Sequence, residues 1–255
     1  MDCSRDDVEA TLAARHYLYT LFQSLLGNEP SPERLDAVSL PLVQEAFAIL
    51  GMDGDGNAAA GNAAAGNDAQ DKLPIGELEQ TPPQTPPQTP LRALQQTLQQ
   101  APHDQEGLTI EYTRLFVGPN KLPAPPWESV YISRERTLFQ RPTLEVRDSY
   151  RSQGLIPELY PKVADDHIAL ELDFLRLLAG RAQAAFQIDE HESYQEALGA
   201  TAEFLDEHLL RWVDGFAQDM ARSGVGTFYP ALAQMMAAYV RRDAAIVAEI
   251  VAESP

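Results

Sequence analysis

Apolar side chains recur every three or four positions along most of this chain, the spacing that places them on one face of an α-helix. The segment 165–186 carries two such stripes on adjacent faces, which predicts a helix packed between neighbours. No segment alternates convincingly between apolar and polar residues, as a half-buried strand would. The predicted helices are 6–26, 31–50, 91–100, 105–117, 143–153, 165–186, 191–216 and 227–251.

These segments predict an all-α fold, a compact bundle of roughly eight to ten helices. Two details refine the prediction. Gly154 is the expected end of the helix 143–153, since glycine favours the position that closes a helix. Arg15 interrupts the apolar stripe of the first helix, and we expect its aliphatic stem to lie along that stripe.

The segment 51–90 has a different composition from the rest of the chain. Its repeats GNAAAGNAAAGN and TPPQTPPQTP contain too few large apolar side chains to offset the entropy of ordering them. The preceding 50 residues supply only two helices, too few for a core of their own. We therefore expect one helical domain over 1–255, interrupted at 51–90 by a flexible insertion.

The charge is strongly acidic: 19 basic residues stand against 38 acidic ones, a formal net charge of −19. Such a surface repels nucleic acid and attracts basic segments, unless the charge serves only solubility. No stretch approaches the roughly 18 apolar residues of a membrane span. A single cysteine, Cys3, and an acidic start without a secretory pattern predict a cytoplasmic protein. We expect no nucleic-acid partner and no stable membrane insertion.

Motifs of common enzyme classes, GxGxxG, GxxxxGK[ST], GxSxG and HExxH, are absent from the sequence. The cluster Asp165, Asp166, His167 and Glu171 is a possible divalent metal site. We prefer a helix cap formed by Asp165 or Asp166, because adjacent helical residues point about 100° apart. We expect no catalytic residue, no cofactor and no metal. His167 is equally compatible with a structural role and with ligand contact.

The connection 118–131 is unusually rich in proline and carries two large aromatic residues, Trp127 and Tyr131. Prolines stiffen a loop, and a stiff loop loses little entropy when it binds a partner. Exposed aromatic side chains on such a loop are good anchors for another polypeptide. The alternative is that both aromatics fill the core of the bundle. We favour binding.

Several motifs together resemble the TorD/DmsD family of redox-enzyme maturation chaperones. These are EYTRLFVGP at 111–119, PAPPWESVY at 123–131, Asp166-His167 with Glu171, HLxxW at 208–212, and Phe228-Tyr229. The LPAPPW loop is similar to that of the DmsD-like branch. The matching stretches cover about half of the chain, whereas the first 110 residues match only in helical character.

The resemblance implies a cytoplasmic chaperone that binds the twin-arginine (Tat) signal peptide of a molybdopterin-containing oxidoreductase subunit, such as a dimethyl sulfoxide reductase. Such chaperones delay export until the cofactor is inserted and the enzyme has folded. Relatives occur as monomers or domain-swapped dimers. The implied signal-peptide contacts are Leu115, Phe116, Gly118, Pro119, Pro125, Pro126, Trp127, Ser129, Tyr131, Asp166, His167 and Glu171.

Two other functions remain as alternatives. One is a carboxylate-metal enzyme built on the helical bundle. The other is a general protein-interaction scaffold in which TPPQTPPQTP is the binding element.

Overall fold

The computed structural model describes residues 4–36, 40–52, 90–100, 104–119, 121–133, 141–158 and 163–253. Across these ranges the chain is helical and contains no β-strand, which confirms the predicted fold class. The helices are α1 (Arg5–Gly27), α2 (Pro32–Asp36), α3 (Leu40–Ile49), α4 (Pro90–Gln100), α5 (Gln105–Tyr112), α6 (Glu128–Ile132), α7 (Arg141–Ser152), α8 (Ile168–Gln187), α9 (His191–Glu207), α10 (Val213–Arg222) and α11 (Phe228–Glu253). Among these, α2 and α6 are only five residues long. The other nine agree with the predicted number of roughly eight to ten helices. Most of the predicted insertion, 53–89, lies outside the described residues.

Most predicted helix boundaries hold to within a few residues, with one clear difference. The predicted helix 191–216 is wrong as one element: α9 ends at Glu207, a 3₁₀ turn covers Leu209–Arg211, and α10 follows. The backbone of His208 leaves the helical region, with φ −123° and ψ −85°. This break redirects the chain, so that α9 packs on α8 and α10 packs on α11. Within the predicted helix 31–50 the structure describes α2 and α3, and residues 37–39 lie outside the described residues.

The centre of the structure is α8, which packs against α1 on one side and α9 on the other. Its apolar positions, including Leu172, Leu175 and Leu178, are fully buried. This confirms the prediction, from its two stripes, of a helix with neighbours on both sides. Helices on the two sides of 53–89 share this core, because α1 and α3 precede that segment while α4 and α8 follow it. The single domain over 1–255 with an insertion at 51–90 stays a prediction.

Arg15 corrects the sequence-based expectation. Its whole side chain is buried, and Nε lies 2.5 Å from Asp243 Oδ1 of α11. Tyr19 donates its hydroxyl hydrogen to Asp243 Oδ2 at 2.6 Å, and Tyr239 donates to the Arg15 carbonyl oxygen at 3.1 Å. An ion pair inside the core therefore joins α1 to α11, whereas the sequence analysis expected only that the stem of Arg15 lies along the apolar stripe.

No helix in the described ranges combines the length and apolar character required to span a membrane.

The buried ion pair gives a prediction for stability. Arg15→Leu leaves Asp243 buried without its cation, so we expect the free energy of unfolding to fall by about 3–5 kcal/mol. Chemical denaturation of the full chain measures this change. The matched control is Arg241→Leu, because the Arg241–Asp214 pair is about half exposed on both sides and should contribute at most about 1 kcal/mol. Equal losses in the two variants would contradict the prediction.

Candidate functional site

The first part of the candidate site is the turn that follows α5. Residues Thr113–Val117 form a π-turn that ends at Gly118, whose φ of +93° favours glycine. Leu115 is fully buried in the core. Phe116 is half-buried and packs its ring 5.4 Å from that of Tyr229 in α11. The predicted helix 105–117 therefore continues to its expected end, with a widened last turn.

The second part is a cleft along the proline-rich loop, which we call the Trp127 cleft. It has a volume of about 480 Å³. Its lining residues are Lys121, Leu122, Pro123, Pro125, Trp127, Val130 and Asp219. Trp127 is half-buried, so part of its indole faces this cleft while the rest packs on the protein.

Tyr131 occupies a different environment from Trp127. Its ring stacks on Trp212, with centroids 5.4 Å apart, and meets Phe216 edge-on at 6.5 Å. Gly215 provides the space for this ring, because a β-carbon there would lie 3.1 Å from Tyr131 Cδ1. The alternative of core packing therefore describes Tyr131, which anchors α6 to α10.

The loop joins the head of α8 through backbone hydrogen bonds. Glu128 N–H donates to the Asp166 carbonyl at 3.0 Å, and Ile168 N–H donates to the Pro126 carbonyl at 2.9 Å. These bonds form an antiparallel bridge between Trp127 and His167. The two rings meet edge-on with centroids 5.5 Å apart. The motifs WESVY and DH are thus neighbours in space, although about 40 residues separate them in the sequence.

The cap of α8 corrects the prediction that Asp165 or Asp166 begins this helix. The N-cap is His167, whose Nδ1 accepts a hydrogen bond from Ala169 N–H at 3.1 Å. Burial lowers the pKa of His167 from 6.5 to about 4, so Nδ1 is free to accept at neutral pH. Asp166 Oδ2 instead accepts from Ser129 N–H at 2.9 Å, and Asp165 pairs with Arg147 at 2.7 Å.

Behind the loop lies a buried polar junction between α6, α8 and the turn after α9. Glu171 Oε2 accepts a hydrogen bond from Trp212 Nε1 at 3.1 Å. The Glu128 carboxylate lies 3.1 Å from His208 Nδ1. Burial raises the pKa of Glu128. Burial also raises the pKa of Glu171 well above 4.5, and the negative charge of Glu128 is the next largest cause of that increase.

Sequence reasoning placed three members of this junction only within motifs and gave them no site role: Glu128, His208 and Trp212. Their inward orientation depends on the break at His208 and on the bridge to Asp166. The available signal was the recurrence of charged and aromatic residues inside the matching motifs. That signal does not distinguish a buried role from an exposed one.

The twelve predicted contact residues divide by their exposure in the structure. Those with accessible surface are Phe116, Gly118, Pro119, Pro125, Trp127, Tyr131 and His167. Those that are buried are Leu115, Pro126, Ser129, Asp166 and Glu171. In this conformation the second group presents almost no surface to a ligand. All twelve contacts stay predictions.

Metal ligation was an alternative for the acidic cluster. In the part of the chain that the structure describes, no group of three or more His, Cys, Asp or Glu residues is arranged to hold a metal ion. Asp165, Asp166 and His167 are engaged with Arg147, Ser129 and Ala169 respectively.

Comparison with known sequences places these motifs in a family. The family described as "Nitrate reductase delta subunit" matches residues 82–218, more than half of the chain. The chain belongs to this family. The match includes the Trp127 cleft apart from Asp219, the α8 head and the turn at His208. It confirms the resemblance to the TorD/DmsD chaperones.

Individual relatives agree with this placement. A probable Tat proofreading chaperone DmsD of Haemophilus influenzae is 33% identical over 129 residues, 51% of this chain and 56% of that protein. A chaperone protein TorD of Vibrio cholerae is 29% identical over 147 residues, 58% of this chain and 65% of that protein. The Tat proofreading chaperone DmsD of Salmonella typhimurium is 32% identical over 133 residues, 52% of this chain and 58% of that protein.

The chain thus spans between half and two thirds of the length of these relatives. All three are named as chaperones and none as an enzyme, in agreement with the absence of enzyme motifs from the sequence.

The cap of α8 gives a prediction for pH dependence. The pKa of His167 is lower in the folded chain than its usual 6.5, so folding favours the neutral ring. The stability that this ring contributes is complete above pH 6.5 and is lost as the pH falls towards 4. His167→Asn keeps an N-cap acceptor but does not titrate there.

We therefore expect the denaturation midpoint of the natural chain to fall more steeply over this pH range than that of His167→Asn. His191→Asn is the control, because His191 is exposed at the start of α9. Parallel pH profiles for the natural chain and His167→Asn would contradict this role of His167.

Proposed function

We propose that this chain is a cytoplasmic chaperone that binds the twin-arginine signal peptide of a molybdopterin-containing oxidoreductase subunit. It delays export of that subunit until the cofactor is inserted and the enzyme has folded. A dimethyl sulfoxide reductase-like catalytic subunit is the proposed client. The proposal rests chiefly on one observation: two of the motifs that carry the family resemblance, the LPAPPW loop and Asp166-His167, meet at the Trp127 cleft and the adjacent head of α8.

The Trp127 cleft suits the apolar part of a signal peptide. Five of its lining side chains are apolar: Leu122, Pro123, Pro125, Trp127 and Val130. Two of them are prolines, and the bridge to α8 fixes the end of the loop. A wall of this kind is formed before binding, so docking an apolar segment costs little ordering entropy. An apolar helix or turn of the signal peptide would bury its side chains against Trp127.

The charge of the chain suits the basic part of the same peptide. The net charge of −19 attracts a segment with paired arginines over several ångströms. Asp219 is the one carboxylate among the described residues that line the Trp127 cleft. Asp166 and Glu171, which the resemblance implies as peptide contacts, are buried and hydrogen-bonded, so we propose attraction of the arginines at the surface in place of direct pairing with these two residues.

A direct test uses a synthetic peptide with two consecutive arginines followed by about 12 apolar residues, the length of a typical apolar region in a leader. Calorimetric titration measures its affinity for the full chain. Trp127→Ala removes the largest side chain of the cleft, and we expect a loss of affinity of at least about tenfold, or roughly 1.4 kcal/mol.

Leu144→Ala is the matched control, because Leu144 is an exposed apolar residue on α7 and does not line the Trp127 cleft. We expect its affinity to equal that of the natural chain. Unchanged affinity in Trp127→Ala, with the helical circular dichroism retained, would rule out the Trp127 cleft as the binding site.

Salt dependence tests the electrostatic part of the proposal. Salt screens attraction between the acidic surface and the arginines, so raising ionic strength should slow association much more than it accelerates dissociation. Stopped-flow fluorescence of the same peptide measures both rates. A peptide with both arginines replaced by glutamine should associate more slowly and show a weaker salt dependence. Equal salt dependence for the two peptides would contradict steering by the paired arginines.

A further inference from the structure

The buried junction behind the Trp127 cleft contains more carboxyl groups than its visible hydrogen bonds explain. Asp166, Glu128 and Glu171 are all fully buried. Asp166 lies just before α8, Glu128 is the first residue of α6, and Glu171 lies in the first turn of α8. Each ionised carboxylate in such a place requires donors or cations, because burial removes its water.

Glu128 has a clear partner for its charge. Its Oε2 lies 3.1 Å from His208 Nδ1, and the Ser149 hydroxyl lies 3.2 Å from His208 Nε2. A proton on Nδ1 is donated to Glu128, and in that arrangement Ser149 donates to Nε2. Glu128 is thus held as a hydrogen-bonded carboxylate.

Glu171 lacks an equivalent arrangement. Its Oε2 accepts from Trp212 Nε1, but no donor reaches Oε1 among the described residues. Its carboxyl group lies within hydrogen-bond reach of the Glu128 carboxyl group. Two ionised carboxylates at that separation would repel each other in a site without water. A single proton between them removes one charge and supplies the missing donor.

We propose that Glu171 is a neutral carboxylic acid at neutral pH, that its O–H donates a hydrogen bond to Glu128, and that this pair positions the wall of the Trp127 cleft. Trp127 immediately precedes Glu128, and Trp212 supports Tyr131 of α6 on the other side. Glu171 is therefore a positioning residue, in contrast to the direct peptide contact that the sequence suggested.

The surrounding groups favour Glu171 as the holder of the proton. The titratable and charged groups around the pair are Tyr131 of α6, Arg147 and Tyr150 of α7, Asp165, Asp166 and His167 before α8, and His208 and Arg211 of the turn after α9. Burial raises the pKa of Glu128, but His208 and Arg211 partly offset that rise, whereas Arg147 is paired with Asp165. The negative charges of Glu128 and Asp166 add to burial in raising the pKa of Glu171.

The raised pKa of Glu171 determines how the stability of the fold depends on pH. A carboxyl group with a raised pKa stabilises the fold while it is neutral, and that contribution is lost as the pH rises above 4.5 and through the folded pKa. Ionised Glu171 would then face ionised Glu128. We expect α6, and with it the wall of the Trp127 cleft, to be held less firmly at alkaline pH.

The two tryptophans of the chain provide a direct assay. In the full chain carrying Trp127→Phe, Trp212 is the only tryptophan left, and its indole N–H donates to Glu171. We expect its fluorescence to change in one step as the pH rises from about 5 to about 10, with a midpoint well above the ordinary glutamate value. Glu171→Gln in this background keeps a donor towards Glu128 and should abolish the step.

Glu203→Gln is the matched control, because Glu203 is exposed on α9, and the step should persist there. A fluorescence profile of the Trp127→Phe chain that stays flat with pH would overturn the proposal. A step that persists after Glu171→Gln would also overturn it. If Glu171→Gln lowers the helical circular dichroism, infrared spectroscopy of the parent chain decides instead. The carbonyl band of a protonated carboxylic acid should be present at neutral pH and lost at alkaline pH, and its absence at neutral pH would overturn the proposal.

The effect on peptide binding rests on the proposed function and is tested separately. With the twin-arginine peptide, the natural chain should lose affinity several-fold on the alkaline side of the step, while Glu171→Gln keeps its neutral-pH affinity. Equal losses in both chains would overturn the positioning role. Failure of the peptide to bind at any pH would count against the proposed function alone, because the Trp212 titration does not use a peptide.

Discussion

Two backbone hydrogen bonds connect the proline-rich loop to the head of α8, and the candidate site depends on this bridge. Because they join residues 126–128 to residues 166–168, they set Trp127 beside His167 and turn Glu128 inwards. Because proline lacks an N–H donor, the loop can form few backbone hydrogen bonds within itself. The bridge thereby converts an irregular connection into a fixed wall of the Trp127 cleft.

The interior places ionisable groups at the joints between helices. Arg15 and Asp243 join α1 to α11, and the junction of Glu128, Glu171 and His208 joins α6 to α8 and to the turn after α9. Buried charges contribute less to stability than apolar packing of equal volume, but breaking one partner of a pair is costly. Such groups therefore favour one arrangement of the helices over near alternatives. In this chain the junction of Glu128, Glu171 and His208 also lies directly behind the surface that we propose for peptide binding.

The candidate site was only partly predictable from the sequence. The stiffness of the loop was expected, and the resemblance assigned the loop and Asp166-His167 to one set of peptide contacts; the bridge shows that the two segments are neighbours. The capping residue was wrong, because His167 takes the extended backbone conformation that a cap requires and Asp166 is used by Ser129. Tyr131 keeps accessible surface, but its ring also stacks on Trp212, a contact that the sequence does not show. Spacing gives the face of a helix, but it does not show which side chains a neighbouring segment will cover.

The sequence by itself determined the all-helical class, the approximate helix boundaries, the acidic character and the motifs of the family, because these depend on local periodicity and composition. Only the tertiary structure decided which polar residues are buried, where the helix after His191 breaks, and which part of the loop stays open as a cleft. Those outcomes depend on contacts between residues far apart in the chain. Arg15 and Asp243, separated by 228 positions, have no signal in the sequence that they form a pair.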